Sequence, residues 1–252
     1  GINGTLAGRQ GGVSAFTRAF LRDSIEENDT RRDSIQLFRQ ESRNFFASVG
    51  EDELFFDSPD DFKWSKCDST QDELFPDLNI KLVPELIGTG RVLSSISLEE
   101  TAQGYLTPKE WRERLSARDD GTVLIDCRNT KEYEIGRFEG AIDPKTTTFA
   151  QFPKWVDDHK LELSNKNVLM YCTGGIRCEK ASAYIRQAVP DATVNHLKGG
   201  IHKYLEAYGN DDLWRGRNFV FDGRGAASGT TNKLEGEQVV GRCVNCKTPF
   251  DR

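Results

Sequence analysis

No window of this sequence approaches the roughly 18 apolar residues of a membrane-crossing helix, and no secretory signal is visible at its start. Positive charge is not in excess. The 252 residues carry 34 Lys and Arg against 40 Asp and Glu, a formal net of −6, which argues against a generally basic nucleic-acid binder. The three histidines, His159, His196 and His202, show no metal-ligand spacing. No internal repeat and no flavin, iron or nicotinamide motif is present; "GTGR" around Gly88 is too short to count. Cysteine is sparse and irregular, with six residues at Cys67, Cys127, Cys172, Cys178, Cys243 and Cys246. That spacing excludes a disulfide scaffold and fits an intracellular, reducing compartment, with the cytoplasm expected. The chain opens at Gly1 rather than Met. The expectation is a natural N-terminus further upstream, and organellar targeting stays open.

What is there begins with localised acid. Residues 21–80 hold 16 acidic and 7 basic residues, whereas the remainder holds 24 and 27. A mildly basic body with an acidic insertion remains compatible with an RNA substrate. "GINGTLAG" contains an Asn-Gly hairpin signal, and Val13, Phe16, Phe20 and Leu21 follow at helical spacing. Residues 25–76 read as a long acidic surface insertion, and "LNIKLVPEL" as a strand.

From Leu106 the pattern changes. "YLTPKEWRERL" is a helix start, with Thr107 as cap, Pro108 in the first turn and Glu110 completing a capping box. "TVLIDC", "NVLMYC" and "ATVNHL" read as buried strands. "FAQFPKWVDDHK" is expected to be partly helical. A helix with Ala181, Tyr184, Ile185 and Ala188 on one face is stopped by Pro190, and "IHKYLEAYG" is closed by Gly209. Strands alternating with helices imply an α/β fold with a parallel sheet and flanking helices.

The segment that carries chemistry is "YCTGGIRCEK", Tyr171 to Lys180. Ligands in open α/β sheets bind beyond the carboxyl ends of the strands. Cys172 ends a strand, and Thr173, Gly174, Gly175, Ile176 and Arg177 lead into a helix. Two glycines let the backbone curl so that N–H groups point inward. A cysteine facing them and a helix N-terminus is expected to have a lowered pKa. Arg177 adds positive charge. Such a sulfur can carry a persulfide or another anionic adduct. A tyrosine-phosphatase loop needs five residues between Cys and Arg; here there are four, and the smaller ring favours sulfur over phosphate.

This loop resembles that of rhodanese domains. Upstream, "DCRNTKEYEIGRFEGAI" is similar to the rhodanese signature in which an Asp-x-Arg pair, here Asp126 and Arg128, ends the first buried strand. Arg137 and Glu139 stand where the family often has His and Pro. Asp126 and Arg128 are read as a supporting buried ion pair rather than as catalytic groups. The ordered set "GINGTLAG", "GAIDPKTTTFAQFP", "YCTGGIRCEKASAY", "HLKGGIHKYLE" and "NFVFDGR" narrows the match. It resembles the oxygen-dependent tRNA uridine hydroxylases, which carry a rhodanese domain. That resemblance implies hydroxylation of a wobble uridine to 5-hydroxyuridine, tRNA as partner, molecular oxygen as co-substrate and Cys172 as catalytic residue. It also implies a partial ferredoxin-like unit over residues 1–95, a rhodanese domain over 96–215 and a cysteine-containing tail over 216–252.

Cys178 is a candidate resolving thiol, while Cys67 and Cys127 read as packing residues. "CVNC", Cys243 to Cys246, has the spacing of half a zinc site, with no second pair nearby. Lys145, Lys180, Lys198 and Lys203 are expected near the loop face as RNA contacts. Two other functions stay open: a sulfurtransferase working through a Cys172 persulfide, and a non-enzymatic rhodanese-like interaction module. Oligomeric state is not legible.

Overall fold

The computed structural model describes residues 87–89, 93, 96–219 and 226–227. The hairpin at "GINGTLAG", the helix after it, the acidic insertion, the strand at "LNIKLVPEL", Cys67 and the Cys243–Cys246 pair lie outside the described residues.

A short helix α1 (Leu98–Thr101) precedes strand β1 (Tyr105–Leu106) and helix α2 (Pro108–Ser116). The α2 start is the one its sequence encodes. Thr107 Oγ1 accepts the Glu110 N–H at 3.3 Å, and Glu110 accepts the Thr107 N–H at 2.8 Å. Strand β2 (Thr122–Asp126) leads to α3 (Thr130–Ile135) and β3 (Gly136–Phe138). A 3-10 turn (Phe149–Gln151), α4 (Phe152–Asp158) and α5 (Lys160–Leu163) return the chain to β4 (Asn167–Tyr171). Then come α6 (Ile176–Ala188), β5 (Thr193–Leu197) and α7 (Gly200–Tyr208). Strands β6 (Trp214–Gly216), β7 (Asn218–Phe219) and β8 (Ala226–Ala227) complete the order.

The main sheet has the order β1-β5-β4-β2, with every pairing parallel. Ile142 extends it beyond β2 through a parallel bridge to Ile125. Strand β1 is only two residues long, which is why its pattern was not legible. Strands β3 and β6 pair antiparallel, as do β7 and β8.

Because side chains alternate across a strand, a sheet covered on both faces feeds two cores. Ile125, Val168 and Met170 point to the face covered by α4 and α6, where Phe152, Val156 and Ile185 pack. Leu124, Leu169 and Tyr171 point to the opposite face, against Trp111 of α2 and Tyr204 of α7. Phe138 sits edge-on to Tyr171, Tyr204 and Trp214, with ring centroids 4.8, 4.8 and 5.1 Å away. This aromatic set fixes the carboxyl ends of β2 and β4, where the loop chemistry is carried. Among the described residues, no helix is long and apolar enough to cross a membrane.

Candidate active site

Strand β4 ends at Tyr171, and Cys172 is the next residue. The loop turns at Gly175, whose φ of +92° lies in the left-handed region that favours glycine. This turn aims the Gly175 N–H at Cys172 Sγ, 3.1 Å away. The Cys178 backbone N–H also acts on that sulfur, in the direction that lowers its pKa. The cradle expected from the two glycines is therefore present.

Two helix N-termini meet here, and they do different work. The first amides of α7 are spent on the loop itself. Ile201 N–H donates to the Cys172 carbonyl at 3.0 Å, and His202 N–H to the Thr173 carbonyl at 3.2 Å. The N-terminus of α6 instead follows the reactive sulfur directly. Gly199 and Gly200, both at positive φ, let α7 approach this closely. A Cβ on Gly200 would stand 2.5 Å from the carbonyl oxygens of both Cys172 and Thr173. The sequence reading missed this pair as part of the site. Its signal was the Gly199-Gly200 dipeptide, placed one residue after a buried strand.

Arg177 does not stand as an uncompensated charge over the sulfur. Its guanidinium makes a two-pronged pair with buried Glu132, at 2.8 and 2.7 Å, and donates to Thr173 Oγ1 at 3.2 Å. Burial alone would raise the Glu132 pKa, but the Arg177 hydrogen bonds and charge, with Arg128 beyond, hold it below the ordinary carboxylate value. Glu132 was quoted in the sequence motif without a role. Its role is to accept from Arg177 and, at 3.4 Å, from Thr173, which ties α3 to the loop.

The expectation of a lowered Cys172 pKa is corrected. Only 2% of Cys172 is exposed. Burial pushes its thiol well above the ordinary value, and the neighbouring Cys178 thiol pushes it further. Arg177 and the Cys178 amide oppose that rise without overcoming it. The sequence displayed the amide cradle and the arginine but not the depth of the sulfur, nor the carboxylate that shares the arginine's charge.

Asp126 and Arg128 form an ion pair with no exposed side-chain surface, 2.7 Å between Nη2 and Oδ2. Arg128 Nε adds a 2.9 Å bond to Oδ1, and Nη2 donates to the Gly136 carbonyl. The pair therefore spans from the end of β2 to β3, under the loop rather than in it. Of the lysines, Lys145 pairs with Asp143 at 2.9 Å and Lys203 with Glu206 at 2.7 Å. Lys180 lies in α6 just past its first turn, and Lys198 is exposed directly after β5. Lys180 follows β4, and Lys198 and Lys203 follow β5, whereas Lys145 lies in the segment after β3 of the antiparallel pair. Among the described residues, no three His, Cys, Asp or Glu side chains are placed to hold a metal ion.

Residues 107–207 match the family model of the rhodanese-like domain. A Mesorhizobium japonicum protein named tRNA uridine(34) hydroxylase is 43% identical over 73% of this chain and 57% of its own length. An Acinetobacter baumannii protein of the same name is 44% identical over 72% of this chain and 55% of its own. The chain thus spans little more than half the length of these curated relatives. Among solved structures, the rhodanese-like domain of an Anabaena sp. protein is 20% identical, with a TM-score of 0.37 over 45% of this chain and 80% of that one. Residues 107–207 are thus similar to the rhodanese-like domain family, and 70–73% of the chain is similar in sequence to proteins named tRNA uridine(34) hydroxylase.

Proposed function

We propose that this chain belongs to a tRNA-modifying enzyme that hydroxylates the wobble uridine, with Cys172 as the essential sulfur. The observation that carries the reading is the 40–44% identity to relatives of that name, joined to a loop that cradles one cysteine in backbone amides. Molecular oxygen is the co-substrate that the resemblance supplies. The loop's own contribution is electrostatic: backbone N–H groups and the α6 N-terminus stabilise negative charge as it develops on an atom bound to Cys172. Glu132 holds Arg177 and Thr173 in position for this. Burial keeps the unreacted thiol neutral, so charge appears when an adduct forms.

The substrate would dock on the face formed by the carboxyl ends of the strands, with Lys145, Lys180, Lys198 and Lys203 as its proposed contacts. Two of these are paired with carboxylates, Lys145 with the largely buried Asp143 and Lys203 with the part-exposed Glu206, and a phosphate would compete with those carboxylates for each lysine. The cradled sulfur also favours a second reading, a sulfurtransferase that passes sulfur through a Cys172 persulfide. Mass spectrometry of tRNA nucleosides from cells with and without the gene separates the two, alongside thiosulfate:cyanide turnover by the purified chain. Loss of 5-hydroxyuridine supports the first reading. Unchanged nucleosides with rapid thiosulfate:cyanide turnover support the second.

A further inference from the structure

The reactive sulfur has two sulfur neighbours that the reading above leaves unused. Cys127 follows β2 directly, and its N–H donates to the Tyr171 carbonyl at 2.9 Å. Asp126 pairs with Tyr171 in the parallel register, so the next step along both chains sets Cys127 beside Cys172. Both side chains fall on the face that carries Ile125, Val168 and Met170. Helix α6 covers that face, and its first turn brings in Cys178, whose thiol is near enough to both Cys172 and Cys127 to shift their pKa values. The three are free thiols inside one apolar cluster. Cys172 itself is 2% exposed, and the loop residue nearest solvent is Gly174, which is partly exposed and where a Cβ would meet nothing within 4 Å.

We infer that Cys172, Cys178 and Cys127 form a sulfur relay that takes an oxidising equivalent from a small hydroperoxide at Cys172 and stores it as a Cys127–Cys178 disulfide. The chemistry balances in three steps. The Cys172 sulfur attacks the peroxide O–O bond, becoming a sulfenic acid and releasing water or an alcohol. Cys178 attacks that sulfur, expelling a second water and forming a Cys172–Cys178 disulfide. Cys127 then attacks the Cys178 sulfur, and Cys172 leaves as thiolate and takes up the proton that Cys127 gave up. Direction comes from the leaving group, since the better-stabilised thiolate departs faster. Burial raises the pKa of the resting Cys172 thiol, but the Gly175 N–H, 3.1 Å from its Sγ, is placed to take up the charge that appears as that sulfur departs. The sulfur at the loop is restored as a thiol, instead of advancing to the irreversible sulfinic acid. The relay goes beyond RNA hydroxylation and does not depend on it; it requires only that Cys172 meet the oxidant.

The test uses the 252-residue chain, reduced, treated with hydrogen peroxide, alkylated and mapped by non-reducing peptide mass spectrometry. The expected result is a Cys127–Cys178 crosslink as the main disulfide, with Cys172 alkylated. Cys127→Ser should stop the relay one step earlier, at a Cys172–Cys178 crosslink. Cys178→Ser should drive Cys172 to sulfinic acid. The wild-type chain alone can overturn the relay: Cys172 sulfinic acid with Cys127 and Cys178 both alkylated removes it. A Cys172–Cys178 crosslink that is equally abundant with and without Cys127 removes the Cys127 step. RNA hydroxylation could fail in its own assay and leave all of these outcomes unchanged.

Discussion

At the scale of single residues, the site depends on two side chains that charge arguments treat differently. Cys172→Ser replaces a buried thiol by a hydroxyl of similar size, so the fold should survive. The hydroxyl is a far weaker nucleophile, and activity should fall below detection. Circular dichroism checks the first point and a tRNA hydroxylation assay the second. Glu132→Gln leaves Arg177 without its carboxylate in a partly buried setting. Breaking such a pair costs about 3 kcal/mol, readable as a lower urea midpoint. The sign of the pH dependence follows from the lowered Glu132 pKa. A depressed carboxylate stabilises the fold above its unfolded value of 4.5, and that contribution is lost as pH falls through the folded value. The wild-type chain should therefore lose stability below about pH 4.5, and Glu132→Gln should lack this share of the loss. Equal acid sensitivity in both would place the titration elsewhere. The site was partly legible at this scale. The Cys-Thr-Gly-Gly-Ile-Arg run is local in sequence and announced the cradle. The Glu132–Arg177 pair spans 45 positions, and the depth of Cys172 depends on helices packed over it, so neither could be read from local pattern.

At the scale of elements, the loop is held from outside by α7. A Cβ on Gly200 would press on two backbone carbonyls, at a φ of +65°. Gly200→Ala should cost roughly 2–3 kcal/mol, from strain together with displacement of the loop. Gly174→Ala meets open space and should stay within about 0.5 kcal/mol of wild type, as surface changes do. Thermal or urea unfolding of the two variants checks the contrast, and equal effects would mean that α7 does not buttress the loop. The long, periodic elements were the legible ones. The α2 capping box, the three apolar strands and the α6 and α7 stops at Val189 and Gly209 all lie where their residues put them. The two-residue β1 and the β3–β6 pair were not, because strands of two or three residues have no period to read and exist through their partners.

At the scale of the whole molecule, the proposed function has two parts, the Cys172 sulfur and a proposed RNA-docking face. Counterion release makes phosphate recognition steeply salt-dependent. Binding of an anticodon stem-loop by the full-length protein should weaken with salt and with Lys180→Glu plus Lys203→Glu, without unfolding. Fluorescence anisotropy would show it, and a flat salt response would remove this face as the docking surface. The most direct measurement joins both halves. Cells lacking the gene are complemented with the wild-type or the Cys172→Ser protein, and 5-hydroxyuridine at the wobble position is quantified by nucleoside mass spectrometry. The wild-type protein should restore the nucleoside and Cys172→Ser should leave it absent. Restoration by both, at equal protein level, would contradict the assignment of Cys172 as the sulfur on which the modification depends.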